Sequence, residues 1–219
     1  MFPFRYFDAT QTLTLPPPLA FSPCSKVELK SAVDTCLEVS PEGDCFEGPQ
    51  GLIGEWDVSR VTDMSSMFSK AAAFDGDIST WDVSNIKDMS SMFLYATSFN
   101  SDISTWDVSR VITMSVMFRW GTSFNGDISE WDVSRVTNMD YMFSYATSFE
   151  QTLCGDAWVR STASKTDMFS GSSGSISNKV CTTAPSASSK TSAVDAIAVL
   201  LHVDLHSRPH PFLCAPLLP

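Results

Sequence analysis

The feature that most constrains this chain is a tandem repeat. The stretch WDVSRVTDMSSMF begins at Trp56, and close copies begin at Trp81, Trp106 and Trp131, one every 25 residues. A catalytic centre needs unlike groups that converge on one point, whereas this pattern places like groups along a line. The sequence therefore predicts a repeat architecture in which each copy is one structural unit.

Each repeat carries large apolar residues at fixed places. Trp stands at the first place, Val or Ile at the third and sixth, Met at the ninth and twelfth, Phe at the thirteenth and nineteenth, and Ile at the twenty-third. In the second repeat these are Trp81, Val83, Ile86, Met89, Met92, Phe93, Phe99 and Ile103. Regular spacing of this kind predicts one interior shared by all repeats, with Met filling the gaps between neighbours.

The pattern within a repeat predicts two kinds of local structure. The alternation Trp-Asp-Val is typical of a short strand, and the later V-x-x-M-x-x-M-F spacing is typical of a short helix or 3₁₀ turn. The predicted fold class is a leucine-rich-repeat-like solenoid, with short parallel strands on one face and helical or 3₁₀ turns on the other. Burying eight side chains contributes roughly 12–24 kcal/mol, and ordering one repeat costs roughly 25–50 kcal/mol. One repeat alone is therefore unstable, and repeats must stack between end caps.

The flanking sequence supplies candidates for both caps. Ser25 and Glu28 have capping-box spacing at the start of an amphipathic segment, which predicts a capping helix. We divide the chain into an N-terminal leader or disordered segment (1–24), an N-terminal cap (25–55), four repeats (56–155), a degenerate repeat with the C-terminal cap (156–184), and a linker and tail (185–219).

Charge and hydropathy exclude several classes of partner. Fourteen basic and twenty-five acidic residues give a net charge of −11, which repels nucleic acids but leaves cations, basic proteins and neutral glycans as partners. No apolar run reaches the length needed to span a bilayer. Six cysteines, concentrated outside the repeats, favour structural disulfides and an oxidising compartment over free thiols.

The second and third repeats, WDVSNIKDMSSMFLYATSFNSDIST and WDVSRVITMSVMFRWGTSFNGDISE, resemble the BspA-like leucine-rich-repeat family, in particular its short surface-protein repeat. The resemblance covers roughly Gly54 to Phe169. It implies a solenoid fold, an extracellular or cell-surface location, and a role in adhesion or protein binding. It implies no catalytic residue and no defined ligand.

Two columns of aspartates are candidate binding residues or local turn formers. The first acidic column comprises Asp57, Asp82, Asp107 and Asp132. We favour local hydrogen bonds and pairing with nearby Arg over a bound cation or basic partner for this column. The second acidic column comprises Asp77, Asp102 and Asp127. Calcium binding there requires six to eight converging oxygens, and we favour turn capping, so no cofactor is predicted.

A row of aromatic residues is the other candidate binding surface. The fifteenth place holds Tyr95, Trp120 and Tyr145 in successive repeats, where the first repeat has Lys70. Such a row binds protein or glycan when it is exposed, and stabilises the stack when it lies between repeats. The histidines, His202, His206 and His210, lie four residues apart near Cys214, but Pro209 and Pro211 prevent the continuous helix that a metal site would need.

The sequence thus predicts a non-enzymatic binding or adhesion module that contacts protein or glycan through an extended face. A structural spacer within a larger surface protein is the alternative. A hydrolase is disfavoured because no histidine precedes His202. Ice binding by Ser/Thr pairs before each Trp is also disfavoured, because Glu130 interrupts the Thr row.

Overall fold

A computed structural model describes residues 20–181 of the chain. Two helices, α1 (Lys26–Val39) and α2 (Asp156–Val159), and a 3₁₀ helix (Ile53–Glu55) accompany two strands, β1 (Thr152–Leu153) and β2 (Ser175–Ile176). The strands pair in parallel. Turns and loops make up most of the rest. Most of the predicted leader, the whole of the predicted linker and tail, and the three histidines with Cys214 lie outside the described residues.

Helix α1 begins after Ser25, and hydrogen bonds between Ser25, Glu28 and Cys24 cap its N-terminus. The side chain of Ser25 accepts a hydrogen bond from the Glu28 amide, and Glu28 Oε2 accepts one from the Cys24 amide at 2.7 Å. One face of the helix is buried in the common core; its buried residues are Leu29, Ala32, Val33 and Cys36. Lys26 Nζ also donates to Asp63 Oδ1 at 3.0 Å and to Ser65 Oγ, which ties α1 to the first repeat.

Successive repeats are joined by a repeated hydrogen-bond pattern in what we call the ladder segments, residues 63–70, 88–95, 113–120 and 138–145. In the first segment, alternate amides at 64, 66, 68 and 70 donate to the carbonyls of 88, 90, 92 and 94 at 2.7–2.9 Å. The same four bonds recur at each of the next three junctions, and all of them point from the earlier repeat to the later one. Parallel bridges between equivalent residues mark the same junctions.

The Trp-Asp-Val segments differ from the predicted strands, because no strand covers them in any of the four repeats. Their backbone groups bond locally instead. The Trp81 amide donates to Ile78 O at 3.1 Å, and the Ile86 amide donates to Val83 O at 2.9 Å. The strand prediction rested on the alternation of inward-facing side chains. The parallel bridges between repeats instead lie at the eighth place of each repeat, after the Trp-Asp-Val segment.

The ladder segments also differ from the predicted helical turns. Amides that do not reach the next repeat close turns within their own segment, as Met67 N to Met64 O and Ala71 N to Phe68 O do, at 3.2 and 3.1 Å. Each segment is therefore a run of tight turns whose alternate amides point along the stack. This arrangement satisfies the backbone donors in two directions at once.

Aromatic rings stack through the interior as continuous columns. The Phe rings of the thirteenth place lie 5.5–5.6 Å apart between neighbouring repeats. In the four regular repeats, each also lies 3.9–4.0 Å from the nineteenth-place Phe of its own repeat. The Trp rings align too, with centroids 6.4 Å apart for Trp56 and Trp81 and 6.5 Å for Trp106 and Trp131. The Met residues of the ninth and twelfth places are buried among them, as predicted.

The degenerate fifth repeat closes the far end of the stack. Trp158 and Met168 are buried, and Asn138 forms a parallel bridge with Ser164. This repeat has no second Phe after Phe169, and Gly174 packs against the Phe149 ring instead. A side chain there would clash, since a Cβ atom added to this glycine would lie 2.4 Å from the Phe149 ring. The glycine thus lets the backbone itself cover the last ring of that column.

Candidate functional site

The aromatic row lies at the end of the ladder segments, where the backbone is strained. Tyr95, Trp120 and Tyr145 have φ angles of 60°, 60° and 59°, and Lys70 before them has 67°. Positive φ at this place is set by the tight turn that ends each ladder segment, since it is the third residue of a four-residue turn. Glycine or asparagine usually occupies such a position. Large aromatic residues here are therefore unexpected on backbone grounds alone.

The three rings stack on one another at the surface. Ring centroids of Tyr95 and Trp120 lie 6.1 Å apart, those of Trp120 and Tyr145 lie 4.1 Å apart, and both pairs are within 10° of parallel. Tyr95 and Tyr145 keep 43% and 39% of their surface exposed. The row is thus partly exposed, and its rings lie nearly parallel to their neighbours.

The row ends against a glycine. The equivalent place in the fifth repeat is Gly171, with a φ of 75°, and a Cβ atom at this position would lie 2.7 Å from Tyr145 Cδ1. The backbone of Gly171 therefore packs against Tyr145, and any larger residue would displace it. The row has three aromatic members with Lys70 at one end and Gly171 at the other.

Arg119 directly precedes Trp120 of the row in the sequence, and it was not among the predicted site residues. The guanidinium carbon of Arg119 lies 5.4 Å from the centroid of the Tyr141 ring, a distance at which a cation is attracted to an aromatic face. Arg119 Nε is buried and has no hydrogen-bond partner among residues 20–181. The one sequence signal was Arg at the fourteenth place, where the other repeats have Ser69, Leu94 and Ser144.

The first acidic column forms local turns. Each of its carboxylates accepts a hydrogen bond from the amide two residues later, at 3.0–3.2 Å; the donors are Ser59, Ser84, Ser109 and Ser134. Hydrogen bonds from the Ser109 side chain and amide lower the pKa of Asp107. Arg110 donates to the side chain of Asn85 in the preceding repeat at 2.7 Å. The turn-forming interpretation therefore accounts for these aspartates.

The second acidic column follows the same rule. Each of its carboxylates accepts a hydrogen bond from the backbone amide of the serine two residues later, at 2.9–3.0 Å; the acceptors are Asp77, Asp102 and Asp127. Within residues 20–181, no group of three or more His, Cys, Asp or Glu side chains is placed to hold a metal ion. The side chains of Asp75 and Asn100 join neighbouring repeats instead. Each accepts a hydrogen bond from the backbone amide of the equivalent residue in the next repeat at 2.8 Å.

An acidic cleft of about 490 Å³ lies between the N-terminal cap and the first repeat. Its lining includes Glu42, Asp44, Glu55, Asp75 and Asp77 around Leu52 and Ile53. Three of these carboxylates already accept hydrogen bonds within the protein: Asp44 from Ser40, Asp75 from Asn100 and Asp77 from Ser79. These carboxylates therefore have structural roles at this junction, and the cleft does not single out a ligand.

Disulfides fasten both ends of the stack. Cys36 on α1 is bonded to Cys45, and Cys154 after β1 is bonded to Cys181, with Cα atoms 5.2 Å apart in each pair. Both lie outside the four stacked repeats or at their last residues, as the distribution of cysteines predicted. Structural disulfides are compatible with an extracellular location. None of the helices within residues 20–181 has the length and hydrophobicity needed to cross a membrane.

Comparison with known proteins gives a family without a known activity. No curated protein and no solved structure matches the chain. The family model described as "Mycoplasma protein of unknown function, DUF285" matches residues 45–118 and 76–180, which together cover more than half of the chain and span all four repeats. The chain therefore belongs to the DUF285 family.

Proposed function

We propose that this chain is a non-enzymatic protein-binding module, built as a repeat solenoid of the leucine-rich-repeat type, and that it acts outside the cell or at its surface. The observation that carries the proposal is the aromatic row. Three large aromatic residues occupy positive-φ positions at the surface of consecutive repeats, where smaller residues would fold with less strain. Strained residues of this kind cluster at binding sites, where the strain is kept because the side chain has a use.

The composition of the surface around the row favours a protein partner. Tyr, Trp and Arg are the residues most enriched among those that dominate the binding energy of protein interfaces. Here Tyr95, Trp120 and Tyr145 lie on the same set of ladder segments as Arg119 and Tyr141.

The ring geometry favours protein over glycan. Sugar recognition by aromatic residues depends on an open ring face, but Trp120 has near-parallel neighbours on both sides at 6.1 and 4.1 Å. Gly171 covers the outer side of Tyr145. The exposed surface of Tyr95 and Tyr145 suits the mixed polar and apolar contacts of a protein interface.

The BspA-like resemblance supports the same proposal independently, since it implies adhesion or protein binding. A structural spacer is the competing function. It predicts that the row is dispensable, whereas the binding proposal predicts that the row determines which protein is bound.

The test is site-specific photocrosslinking with the full chain. A photoreactive phenylalanine analogue placed at Tyr95 is expected to crosslink a defined protein from extracellular or surface fractions. The same analogue at Phe46, which is 71% exposed on the N-terminal cap, is the matched control. Trp120→Ser should abolish capture by the Tyr95 probe, whereas Ile112→Ser, at an exposed residue off the row, should not. Equal capture from Tyr95 and Phe46, or no effect of Trp120→Ser, would favour the spacer.

A further inference from the structure

The last ladder segment has an edge whose backbone donors are unpaired. In each of the first four repeats, alternate amides of the ladder segment donate to the next repeat. The equivalents in the fifth repeat are the amides of Lys165, Asp167, Phe169 and Gly171. Among residues 20–181, none of these four amides donates a hydrogen bond. We call this row of four amides the open edge.

The equivalence of these residues follows from the preceding junction. The amides of Met139, Tyr141, Phe143 and Tyr145 donate to the carbonyls of Ser164, Thr166, Met168 and Ser170 at 2.7–2.8 Å. At the earlier junctions, the residue after each accepting carbonyl is the next donor. Lys165, Asp167, Phe169 and Gly171 are therefore the equivalents of those donors. Asp167 and Gly171 keep the positive φ of their places, 49° and 75°, so the segment retains the ladder conformation.

The open edge is accessible, unlike the opposite end of the stack. Asp167 and Gly171 are exposed, and Lys165 and Phe169 are half-buried. At the N-terminal end, α1 lies over the first repeat through Lys26 and its contacts with Asp63 and Ser65. The structure thus caps one end of the ladder with a helix and leaves the amides of the other end facing outward.

All four groups at the open edge are donors of the same polarity. Because every ladder bond points from earlier to later repeats, the last segment presents amides and no carbonyls from these peptide units. Unpaired edges of this kind are templates for another chain. The group that fits is a set of carbonyl oxygens on alternate residues of a segment with the same tight turns, as the four existing junctions show.

We propose that the open edge is a binding site for a segment of a partner protein that adopts the same run of tight turns as a ladder segment. Its carbonyls would accept hydrogen bonds from the amides of Lys165, Asp167, Phe169 and Gly171. The segment places an apolar side chain over the half-buried Phe169 ring, which ends a column of stacked rings 5.5 Å from Phe143. Backbone bonds supply the affinity in this mode, and the side chain over the ring supplies the selectivity. The open edge adjoins the end of the aromatic row at Gly171, but neither proposal depends on the other.

The test uses a peptide of residues 112–124, whose carbonyls at 113, 115, 117 and 119 occupy this position on the second repeat. Amide hydrogen exchange of the isotope-labelled full chain is followed by NMR as the peptide is added. Exchange at Lys165, Asp167, Phe169 and Gly171 is expected to slow by roughly tenfold or more and to saturate. The Met168 and Ser170 amides, which already bond to Lys165 O and Asp167 O, should keep their rates.

Peptide variants distinguish backbone hydrogen bonding from nonspecific hydrophobic binding. Replacing the peptide bonds after Ser115 and Met117 by esters weakens these two carbonyl acceptors and should reduce binding. An ester after Val116, whose carbonyl does not face the ladder partner, is the matched control. The Phe118→Ala peptide tests the apolar contact, and a peptide of reversed sequence should not bind.

Three results would overturn the proposal. The first is unchanged exchange at the four amides with millimolar peptide. The second is slow exchange in the free chain at every concentration, which would mean that the edge is already covered within the molecule. The third is slow exchange that grows with chain concentration, which would identify a second copy of this chain as the occupant.

Discussion

The indole Nε1–H of Trp81 donates a hydrogen bond to the backbone carbonyl of Ile53, 28 residues earlier, at 2.8 Å. Trp106 and Trp131 repeat this contact with Ile78 and Ile103 at 3.2 and 3.1 Å. The Trp at the first place of these repeats therefore contributes a hydrogen bond as well as buried apolar surface. It joins its own repeat to the preceding one from inside the core, where a lost partner is not replaced by water.

Trp81→Phe should therefore destabilise the chain more than the loss of ring area alone predicts. We expect a fall of about 2–4 kcal/mol in the free energy of unfolding, because a buried carbonyl loses its donor and a gap opens beside it. Urea denaturation measures the change. Trp120→Phe in the surface row, which makes no such bond, is the control, and equal effects of the two substitutions would contradict this role for the indole.

Lys70→Gly should stabilise the fold. Lys70 is exposed and has a φ of 67°, a conformation that costs an L-residue about 1–2 kcal/mol. The greater flexibility of glycine in the unfolded chain offsets about 0.5–1 kcal/mol of that gain. The net increase in the free energy of unfolding should be several tenths of a kcal/mol or more by chemical denaturation.

Lys87→Gly is the matched control for that substitution. Lys87 is exposed but is not among the positive-φ residues, so glycine there should destabilise the chain by about 0.5–1 kcal/mol. If both substitutions destabilised to the same extent, the strain assigned to the fifteenth place would be wrong.

The two disulfides should contribute unequally to stability. Loop-closure entropy predicts about 2.5 kcal/mol for Cys36–Cys45 and about 3.5 kcal/mol for Cys154–Cys181, since they close chain separations of 9 and 27 residues. Paired Cys→Ala variants with thermal unfolding under oxidising conditions measure each contribution. A larger loss from the N-terminal pair would show that packing of α1 outweighs loop length.

The sequence predicted the interior well because its signal is periodic. Trp, Met and Phe recur at fixed places, and stacking equivalent residues is the simplest way to bury them, as the ring columns at 5.5–5.6 Å show. The capping helix was predicted from Ser25 and Glu28 for the same reason, since a local hydrogen-bond pattern has a local sequence signal.

Backbone geometry was harder to predict. The side-chain alternation of Trp81 and Val83 is the same in a strand and in an extended segment between turns, so it does not reveal where backbone groups pair. The positive φ of Tyr95, Trp120 and Tyr145 had no sequence signal, because glycine is the usual marker and only Gly171 carries it. The exposure of the aromatic row was therefore left open by the sequence and required coordinates.

Acid should destabilise the chain through the aspartates that form turns. Hydrogen bonds from the serine two residues later, through its side chain and amide, lower the pKa of Asp77 and Asp107. A carboxyl whose pKa is lower in the folded state contributes stability above its unfolded pKa of about 3.9 and loses it as pH falls through the folded value. The free energy of unfolding should therefore decline as pH falls below about 4. The double variant Asp77→Asn and Asp107→Asn should flatten this decline, since asparagine keeps the acceptor oxygen but does not titrate, as Asn138 does for the Asp140 amide at 2.8 Å.

The corresponding alanine variant distinguishes the hydrogen bond from the charge. Asp77→Ala with Asp107→Ala removes the acceptors, so it should lower the free energy of unfolding at pH 7 by about 1 kcal/mol per site, whereas the asparagine variant should stay close to the wild type there. Urea titrations at pH 7, 4 and 3 separate the two effects. An acid decline as steep in the asparagine variant as in the wild type would mean that other carboxyls govern acid stability, and the turn-forming aspartates would then act only as neutral acceptors.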